Sequence, residues 1–575
     1  MSTLWPVTAG KSQGSRWACV VVGALVLTVC VGAPQQPHVV RTVATQDQIR
    51  AAMNAEGKVT DPVPLLEYRT ADTIGWFWTL SQAEGAAAAS QHGMKPVPSR
   101  LGYLRRQAFP GSTPVYRLRG AQQAEYLLTA SEHERQSLVD SGKFVQEGVL
   151  GHVAARRQTG TDALYRMSNG AERRVVPAAR QSEFADRGYR IEQQLGYAWP
   201  VFHRAGAIYF GTFDRDGNQA MMARTEEIHH RPGDWWGGLR DFAGSGVPRN
   251  AWHWPGEDFT DREPAIGYYD DSRPDTLRKH VVQASGAGLR YFSFYWYWNP
   301  ADGGAENYTE GLKAYMAATN RGQMDFNVVT CLHPWKDGTT ALRLPAEQIT
   351  KAADTIVDTY LSQPNYLRAN DGRPVIGVCD ARGIGGGDVD HIDVEDTRQF
   401  TDAIRERARA RFGEEVLITV NGVPPVGAGF DGSDCLGQFD PSRSYRAYAD
   451  NQRRFFSNFP GTLLRCATSD FDERPRIGIA IGDPGPDPAA LRASFRWYDD
   501  ADLTGFERVL AAVRADVAES ARPSTVDNFV SLYAWNEWHE GGYIEPNRRD
   551  GCAYLNAVRR QLRLVTGNGC VATPS

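Results

Sequence analysis

The feature that most constrains this chain is a series of short apolar runs that alternates with helix-like segments after Pro200. Apolar runs of four to eight residues predict buried strands, and their alternation with helices is typical of α/β folds with a parallel sheet. Eight strands are predicted, at residues 207–213, 289–297, 326–332, 374–379, 416–420, 434–439, 463–468 and 529–534. Eight strands over about 360 residues favour a TIM-type (β/α)8 barrel with insertions.

The segments between these strands predict helices, because they combine apolar spacing with charged faces. They lie at residues 274–285, 308–320, 345–362, 394–411, 445–456 and 504–519. The alternative is a doubly wound open sheet, which would place a glycine-rich nucleotide fingerprint after a strand. The nearest candidate, GIGGGD at Gly383 to Asp388, lacks the spacing and a following helix. The barrel is therefore the preferred prediction.

The region from Leu65 to Trp199 follows a different pattern, a threefold repeat with a period of about 45 to 49 residues. Each copy opens on a Tyr-Arg pair and closes on a Leu-Gly pair followed by Tyr or His; the openings are at Tyr68, Tyr116 and Tyr165, and the closings at Tyr103, His152 and Tyr197. Strand-rich threefold repeats predict a β-trefoil-like module. The copies resemble short lectin-like repeats of secreted bacterial proteins, which implies glycan or cell-wall binding. A core role for the three opening tyrosines is the alternative.

The N-terminus predicts export. Trp17 to Ala33 is an uncharged apolar run that follows Lys11 and Arg16, the layout of a secretory signal, and a retained N-terminal membrane anchor is the alternative. The predicted localisation is secreted, periplasmic or cell-surface. The predicted organisation is a signal or anchor at 1–33, a linker at 34–63, the repeat domain at 64–200, the barrel at 205–565 and a tail at 566–575.

Composition limits the partners. The formal charge is -5 and the sequence pI is about 6.2, which argues against nucleic acid. No pair among the cysteines after residue 33 has metal-ligand spacing, so no metal or other cofactor is predicted. An even number of cysteines in an exported chain permits disulfides, with Cys552 and Cys570 as the favoured pair, and the alternative for Cys331 and Cys379, inside apolar runs, is that they are buried thiols. The oligomeric state is not predicted.

The stretch AWNEWHEGGYIEP, Ala534 to Pro546, directly follows the last predicted strand. In a (β/α)8 barrel the chemistry lies at the carboxyl ends of the strands. Two carboxylates three residues apart on a helical turn, here Glu537 and Glu540, have side-chain bases about 5–6 Å apart. Glycoside cleavage needs such a pair, one as acid and one as base or nucleophile, and their proximity separates their pKa values.

This stretch, together with Pro264 to Trp298, Pro364 to Val378 and PGDWWGG at Pro232 to Gly238, resembles glycoside hydrolase family 99 and its WbsX-like relatives. The resemblance implies a (β/α)8 barrel, an α-mannan or related glycan substrate, and retention without a covalent glycosyl-enzyme. It implies that Glu537 assists the substrate's 2-hydroxyl in forming a 1,2-anhydro sugar, and that Glu540 is the acid and then the base.

A wider set of side chains at predicted strand ends and in the motif is expected to bind the polysaccharide or oligosaccharide substrate. These are Tyr295, Tyr297, Trp298, His333, Asn421, Asn536, Trp538, His539, Tyr543 and Glu545. A glycosyltransferase of polysaccharide biosynthesis and a non-catalytic glycan-binding protein are the alternatives. The paired glutamates weigh against pure binding, and a missing nucleotide-sugar site weighs against transfer.

Overall fold

The computed structural model describes residues 17–19, 30–32, 45–72, 75–98, 100–123, 125–213, 236–240, 259–334, 336–337, 340–434, 439–476, 492–493, 495–519, 525–565 and 569–571. Residues 1–44 form one unit and residues 45–575 another. In the first, Trp17–Cys19 pairs antiparallel with Cys30–Gly32. The rest of the predicted signal or anchor lies outside the described residues. No helix within the described ranges is long and apolar enough to cross a membrane.

The predicted barrel is confirmed. Its strands are β1 Arg204–Tyr209, β2 Tyr291–Asn299, β3 Asp325–Cys331, β4 Val375–Asp380, β5 Leu417–Val420, β6 Gly432–Asp434, β7 Thr462–Thr468 and β8 Phe529–Tyr533. All are parallel, and β1 pairs with both β2 and β8, which closes the sheet. The sixth strand begins earlier than predicted and ends at Asp434, which places that residue at its carboxyl end. Residues 435–438 of the predicted strand lie outside the described part.

Helices surround the barrel close to where they were predicted. They are α1 Pro274–Gly286, α2 Glu310–Ala317, α3 Ile349–Ile356, α4 Val394–Phe412, α5 Tyr445–Asn458, α6 Leu503–Glu519 and the unpredicted α7 Ala553–Gln561. The third is preceded by a 3-10 turn, Ala346–Gln348, and continues as a π-helix, Val357–Leu361. Smaller elements are Gly237–Arg240, Thr260–Arg262, Ala301–Gly303, Ala305–Asn307, Arg321–Gln323, Lys336–Asp337, Thr340–Ala341 and Arg474–Arg476.

Strand β2 shows how the barrel separates its two apolar layers. Successive side chains of a strand point to opposite faces. Phe292, Phe294, Trp296 and Trp298 belong to the core that also contains the helices, whereas Tyr295 and Tyr297 belong to a separate cluster. Trp298 also donates from Nε1 to Gln348 Oε1 at 2.7 Å, next to α3. The two tyrosines therefore share the inner face, and Trp298 lies on the outer one.

The N-terminal region consists of three related units, each with a hairpin, a helix and a returning strand. The first has Val63–Pro64, Leu66–Arg69, Trp76–Thr79, helix Gln82–His92, Lys95–Val97 and Tyr103–Leu104; the second Ser112–Gly120, Tyr126–Thr129, helix Glu132–Asp140 and Phe144–Ala154; the third Asp162–Ser168, Arg173–Pro177, turn Ala178–Arg180, helix Gln181–Asp186 and Arg190–Ala198. The second and third units share one six-stranded sheet. The repeat is real, but the trefoil is not confirmed, because a helix interrupts every unit.

The arginines of the opening motifs hold neighbouring units together. Arg117 donates to Glu84 Oε1 at 2.6 Å, and Arg166 donates to Glu134 Oε1 at 2.7 Å, in each case on the helix of the preceding unit. Arg69 of the first unit pairs instead with Glu172 of the third, at 2.7 Å. The Arg of the Tyr-Arg signature therefore has a structural role. Of the opening tyrosines Tyr68 is buried, whereas Tyr116 and Tyr165 are partly exposed.

The repeat region packs against the amino-terminal ends of the barrel strands. Arg204, the first residue of β1, lies 3.2 Å from Asp61 and 3.4 Å from Asp325, which begins β3. The Tyr103 hydroxyl donates to Asp527, just before β8, at 3.5 Å. This interface lies at the end of the barrel opposite to the carboxyl ends of the strands.

The segment predicted as a linker also belongs to this interface. It contains a helix, Gln46–Glu56, which begins with a capping box between Thr45 and Gln48. Ile49 and Glu56 of this helix are buried. The Thr-x-x-Gln pattern is a sequence signal for a helix start, so this helix could have been predicted.

Candidate active site

The motif after β8 folds as a small hairpin. Asn536–Glu537 pairs with Gly542–Tyr543, and the 3-10 turn Trp538–Glu540 connects them. Gly541 adopts a left-handed φ of 67°, and a Cβ atom there would lie 2.8 Å from the Asp472 Cβ. Only glycine fits both conditions. The hairpin therefore holds Glu537 and Glu540 at the two ends of one tight turn at the carboxyl end of the barrel.

A cavity lies on the barrel axis beside this hairpin. Its volume is about 380 Å³, including its opening to solvent. It is lined by Ile208, Tyr295, Val329, Val378, Cys379, Asn421, Asp434, Cys466, Ser531 and Tyr533. These residues come from all eight strands or the positions directly after them. The cavity is thus the floor of the carboxyl-terminal face, where (β/α)8 barrels carry their chemistry.

Both predicted catalytic glutamates lie close to this cavity. The Tyr533 hydroxyl donates a hydrogen bond to Glu540 Oε2. Burial raises the pKa of Tyr533 and of Tyr295 well above the usual value, and the charges of Glu537 and Glu540 raise both further. Because each carboxylate acts on both phenols, the two glutamates and the two tyrosines form one cluster. We call these four residues the Glu-Tyr cluster.

Four further predicted substrate-binding residues lie around the cavity opening. Tyr295 and Asn421 line the cavity itself. Tyr297 packs at 6.2 Å from the Tyr295 ring and 6.1 Å from the His333 ring. His333 Nδ1 lies 2.9 Å from Asp380 Oδ2, so these two residues join the ends of β3 and β4.

Trp298, Asn536, Trp538 and Glu545, also predicted to bind substrate, have no exposed surface. Glu545 accepts hydrogen bonds from the Tyr269 hydroxyl at 2.9 Å and from Trp538 Nε1 at 3.2 Å, and it lies 3.0 Å from His280 Nε2. The Asn536 side chain makes two hydrogen bonds to the backbone of Phe210: it accepts from the N–H at 2.8 Å and donates to the carbonyl at 3.0 Å. Asn536 and Glu545 fix the motif to the end of β1 and to α1, and burial leaves all four side chains no surface for a sugar.

The two remaining predicted residues are nearly enclosed by aromatic rings. His539 stacks on Phe213 with ring centroids 5.7 Å apart. Tyr543 stacks on Trp538 at 4.1 Å, and its hydroxyl accepts from Arg549 at 2.9 Å. Both are at most 5% exposed. The aromatic residues of the motif therefore mainly support the hairpin.

Neither Asp434 nor Asp470 is among the site residues predicted from the sequence. Asp434 ends β6 and lines the cavity, and burial raises its pKa to about 7. Asp470 follows β7, and burial together with the Asp472 charge raises its pKa to about 7. Asp434 was missed because the sixth strand was placed too late in the sequence. The Gly-Ser-Asp segment is too short and polar to be recognised as a strand by hydrophobicity.

Of the two cysteine pairs that the structure describes, one was predicted as a disulfide and one was not. Cys552 and Cys570 form the predicted disulfide. Cys331 and Cys379 are joined to each other across the adjacent strands β3 and β4, which rules out the alternative of free thiols there. With His333 they form the one cluster of possible metal ligands found among the described residues, but both sulfurs are bonded to each other. Cys466, on the cavity wall, is also disulfide-bonded.

Comparisons with known proteins agree with the division into two regions. A family described as "Domain of unknown function (DUF5648)" matches residues 77–199, within the repeat region. A curated relative, WxcX of Xanthomonas campestris pv. campestris, described as an uncharacterized protein, is 26% identical over 326 residues. The matched part covers 52% of this chain and 43% of the relative, so it spans less than half of the relative's length.

Solved structures with a similar barrel are distant. An endo-α-mannosidase of glycoside hydrolase family 99 from Bacteroides thetaiotaomicron is 15% identical, with 63% of this chain and 97% of that chain covered and a TM-score of 0.39. A glycoside hydrolase family 5 enzyme from Prevotella bryantii B14 is 11% identical, with 62% and 95% covered and a TM-score of 0.32. The family described as "Glycosyltransferase WbsX" matches residues 492–558 of this chain, the segment that carries Glu537 and Glu540.

Proposed function

We propose that this protein is a glycoside hydrolase that cleaves an α-mannan-like or related glycan with retention of configuration. The observation that carries the proposal is the Glu-Tyr cluster, where Glu537 and Glu540 lie with Tyr295 and Tyr533 beside the axial cavity. Two carboxylates at one concave site are the minimum that glycoside cleavage requires. A protein that only binds glycans would not require both.

The two glutamates have different roles in the proposed reaction. Glu537 removes the proton from the substrate's 2-hydroxyl as its oxygen attacks the anomeric carbon, which gives a 1,2-anhydro sugar. Glu540 protonates the departing glycosidic oxygen; it then deprotonates the water that attacks the anomeric carbon, while Glu537 returns its proton to O2 as the C1–O2 bond breaks. The hydrogen bond from Tyr533 holds the Glu540 carboxylate in place for both steps.

The test is hydrolysis of α-mannans and aryl α-glycosides by the purified chain and by Glu540→Gln and Glu537→Gln. Glu540→Gln should slow substrates with poor leaving groups by about 10²- to 10⁴-fold, and activated aryl glycosides less, because these need little protonation. Glu537→Gln should slow every substrate, and a 2-deoxy glycoside should not react. Glu395→Gln, whose side chain is 77% exposed on α4, is the matched control.

Two outcomes would overturn parts of the proposal. Rapid turnover of a 2-deoxy glycoside, or a glycosyl ester trapped on Glu537, would replace the anhydro-sugar route by nucleophilic retention. The description of the matching WbsX family makes glycosyl transfer the second candidate. Consumption of a nucleotide sugar, with elongation of an added oligosaccharide and no hydrolysis, would favour transfer over hydrolysis.

We also propose that the chain is exported and that the repeat region binds glycan. Disulfides persist in oxidising compartments, and the bond between Cys552 and Cys570 supports export. The repeat region packs at the amino-terminal end of the barrel, so a glycan held there would not block the candidate active site. Cell fractionation tests export, and co-sedimentation of the full-length Glu540→Gln protein with insoluble polysaccharide tests retention.

A further inference from the structure

Asp434 is distinct among the acidic residues at the carboxyl end of the barrel. Its side chain extends across the barrel interior, because a Cβ atom added at Gly377 of β4 would lie 3.6 Å from Asp434 Oδ2. Strand β5 separates β4 from β6 in the sheet. Asp434 Oδ2 therefore lies within van der Waals reach of a strand two positions away, which places the carboxylate inside the barrel.

Neighbouring acids have partners that Asp434 lacks. Asp380 is bonded to His333 and Arg382, and Asp472 is bonded to Arg262 and Arg474. The described part of the chain supplies no hydrogen bond or ion pair to the Asp434 carboxyl, and no Lys, Arg or His is among the residues that line the cavity. A carboxylate on a cavity wall needs donors, since an unsatisfied polar group costs free energy when it is desolvated.

A sugar placed in this cavity would supply such donors. Each hydroxyl can donate one hydrogen bond, and a carboxylate accepts several. An acidic sugar would instead bring its charge next to Asp434, Glu537 and Glu540. Arg496 acts on Glu540 from outside the cavity, but none of the described lining residues is a cation that could offset the repulsion at Asp434.

We propose that Asp434 is a specificity-determining residue that accepts a hydrogen bond from a ring hydroxyl of the sugar seated on the barrel axis. The site therefore selects a neutral sugar and excludes a uronic acid at that position. This inference rests on the proposed glycan-cleaving function and adds the substrate class that the site accepts.

The experiment combines two Asp434 variants with modified substrates. Asp434→Ala and Asp434→Asn are compared with the unmodified chain on an aryl α-mannoside, its 3-, 4- and 6-deoxy forms, and its uronic acid counterpart. One deoxy position should lower kcat/KM by about 10- to 100-fold in the unmodified chain, as expected for a hydrogen bond to a charged group, and have little further effect in Asp434→Ala. Asp390→Asn, an exposed carboxylate in the loop after β4, is the control.

The uronic acid substrate tests whether the charge of Asp434, rather than its shape, excludes acidic sugars. The unmodified chain should process it at least about 100-fold more slowly than the neutral form, and Asp434→Asn should reduce that ratio because one repulsive charge is removed. Equal dependence on every hydroxyl in the unmodified chain and in Asp434→Ala would overturn the inference. Preference of the unmodified chain for the uronic acid would also overturn it.

A binding measurement separates failure of this inference from failure of the proposed function. Calorimetry of a neutral mannose oligosaccharide and its uronic acid counterpart is done with Glu540→Gln, with and without Asp434→Ala. If no substrate is hydrolysed but neutral binding weakens about 10-fold or more on Asp434→Ala, hydrolysis is wrong and the recognition role stands. If neither sugar binds Glu540→Gln, the recognition role is wrong.

Discussion

The two ends of the barrel differ in whether their buried carboxylates have cationic partners. At the amino-terminal end, Arg204 pairs with both Asp61 and Asp325, and the charge of Arg465 lies near Asp527. At the carboxyl-terminal end, Asp434 lines the cavity, and none of the described residues that line it with Asp434 is a cation. Buried charges that have partners fix one domain against another, whereas a carboxylate without a partner is costly to the fold. The first end is therefore built for assembly and the second for a ligand.

Removal of Arg204 should give the largest loss of stability. Arg204→Met leaves Asp61 and Asp325 facing each other in a buried interface, so the free energy of unfolding should fall by about 3–5 kcal/mol at pH 8. Denaturant unfolding measures this fall in the free energy of unfolding. The loss should shrink towards pH 5, because the pKa of Asp325 is already about 6 through burial and the residue then takes up a proton. Arg398→Met, on the exposed face of α4, should leave the free energy of unfolding nearly unchanged.

Arg166 tests the contacts within the repeat region without touching either end of the barrel. Arg166→Met removes hydrogen bonds to Glu134, Glu192 and the Leu128 carbonyl, so unfolding free energy should fall by about 2–3 kcal/mol. Hydrolysis by the folded protein should stay the same. The exposed pair of Arg180 and Glu183 gives the matched control, Arg180→Met. Loss of hydrolysis in folded Arg166→Met would show that the two regions are coupled.

Substitution of Asp434 should raise the stability of the fold rather than lower it, because the ionised form of Asp434 destabilises the fold. Burial raises its pKa from 3.8 to about 7, so the folded state binds an extra proton between these values. Its contribution to stability is present below about pH 4 and is lost as the pH rises through 7. Asp434→Asn should therefore be more stable than the unmodified chain at pH 8, by about 1–2 kcal/mol after allowance for partial exposure, and similar to it at pH 4. Thermal unfolding at both pH values measures this difference, and equal gains at pH 4 and pH 8 would contradict it.

The smallest change in stability is expected on removal of a helix cap in the repeat region. Ser131 accepts a hydrogen bond from the Glu134 N–H and begins helix Glu132–Asp140. Ser131→Ala should cost about 1 kcal/mol, whereas Ser137→Ala, exposed inside the same helix, should not destabilise. Thermal unfolding of both variants tests it. A cost at Ser137 equal to that at Ser131 would show that capping is not the cause.

The sequence alone determined the elements and their order. Seven of the eight strands, most of the helices and the threefold repeat follow from local patterns, because apolar periodicity and repeated residues are properties of short segments, whereas the short polar sixth strand does not. The position of Glu537 and Glu540 after the last strand also followed, since barrel topology places all strand ends on one face.

Which polar side chains are enclosed and which lie beside the cavity depends on contacts between distant segments. Glu545 and Asn536 belong to the same motif as Glu537, yet both are buried, because His280, Tyr269 and Phe210 from distant segments enclose them. Asp434 lines the cavity because the sheet brings its side chain close to Gly377 and Val329, which are far away in sequence. Burial and partner choice depend on contacts between segments that local pattern does not record, and those contacts separate the polar residues that could act on a sugar from those that hold the barrel together.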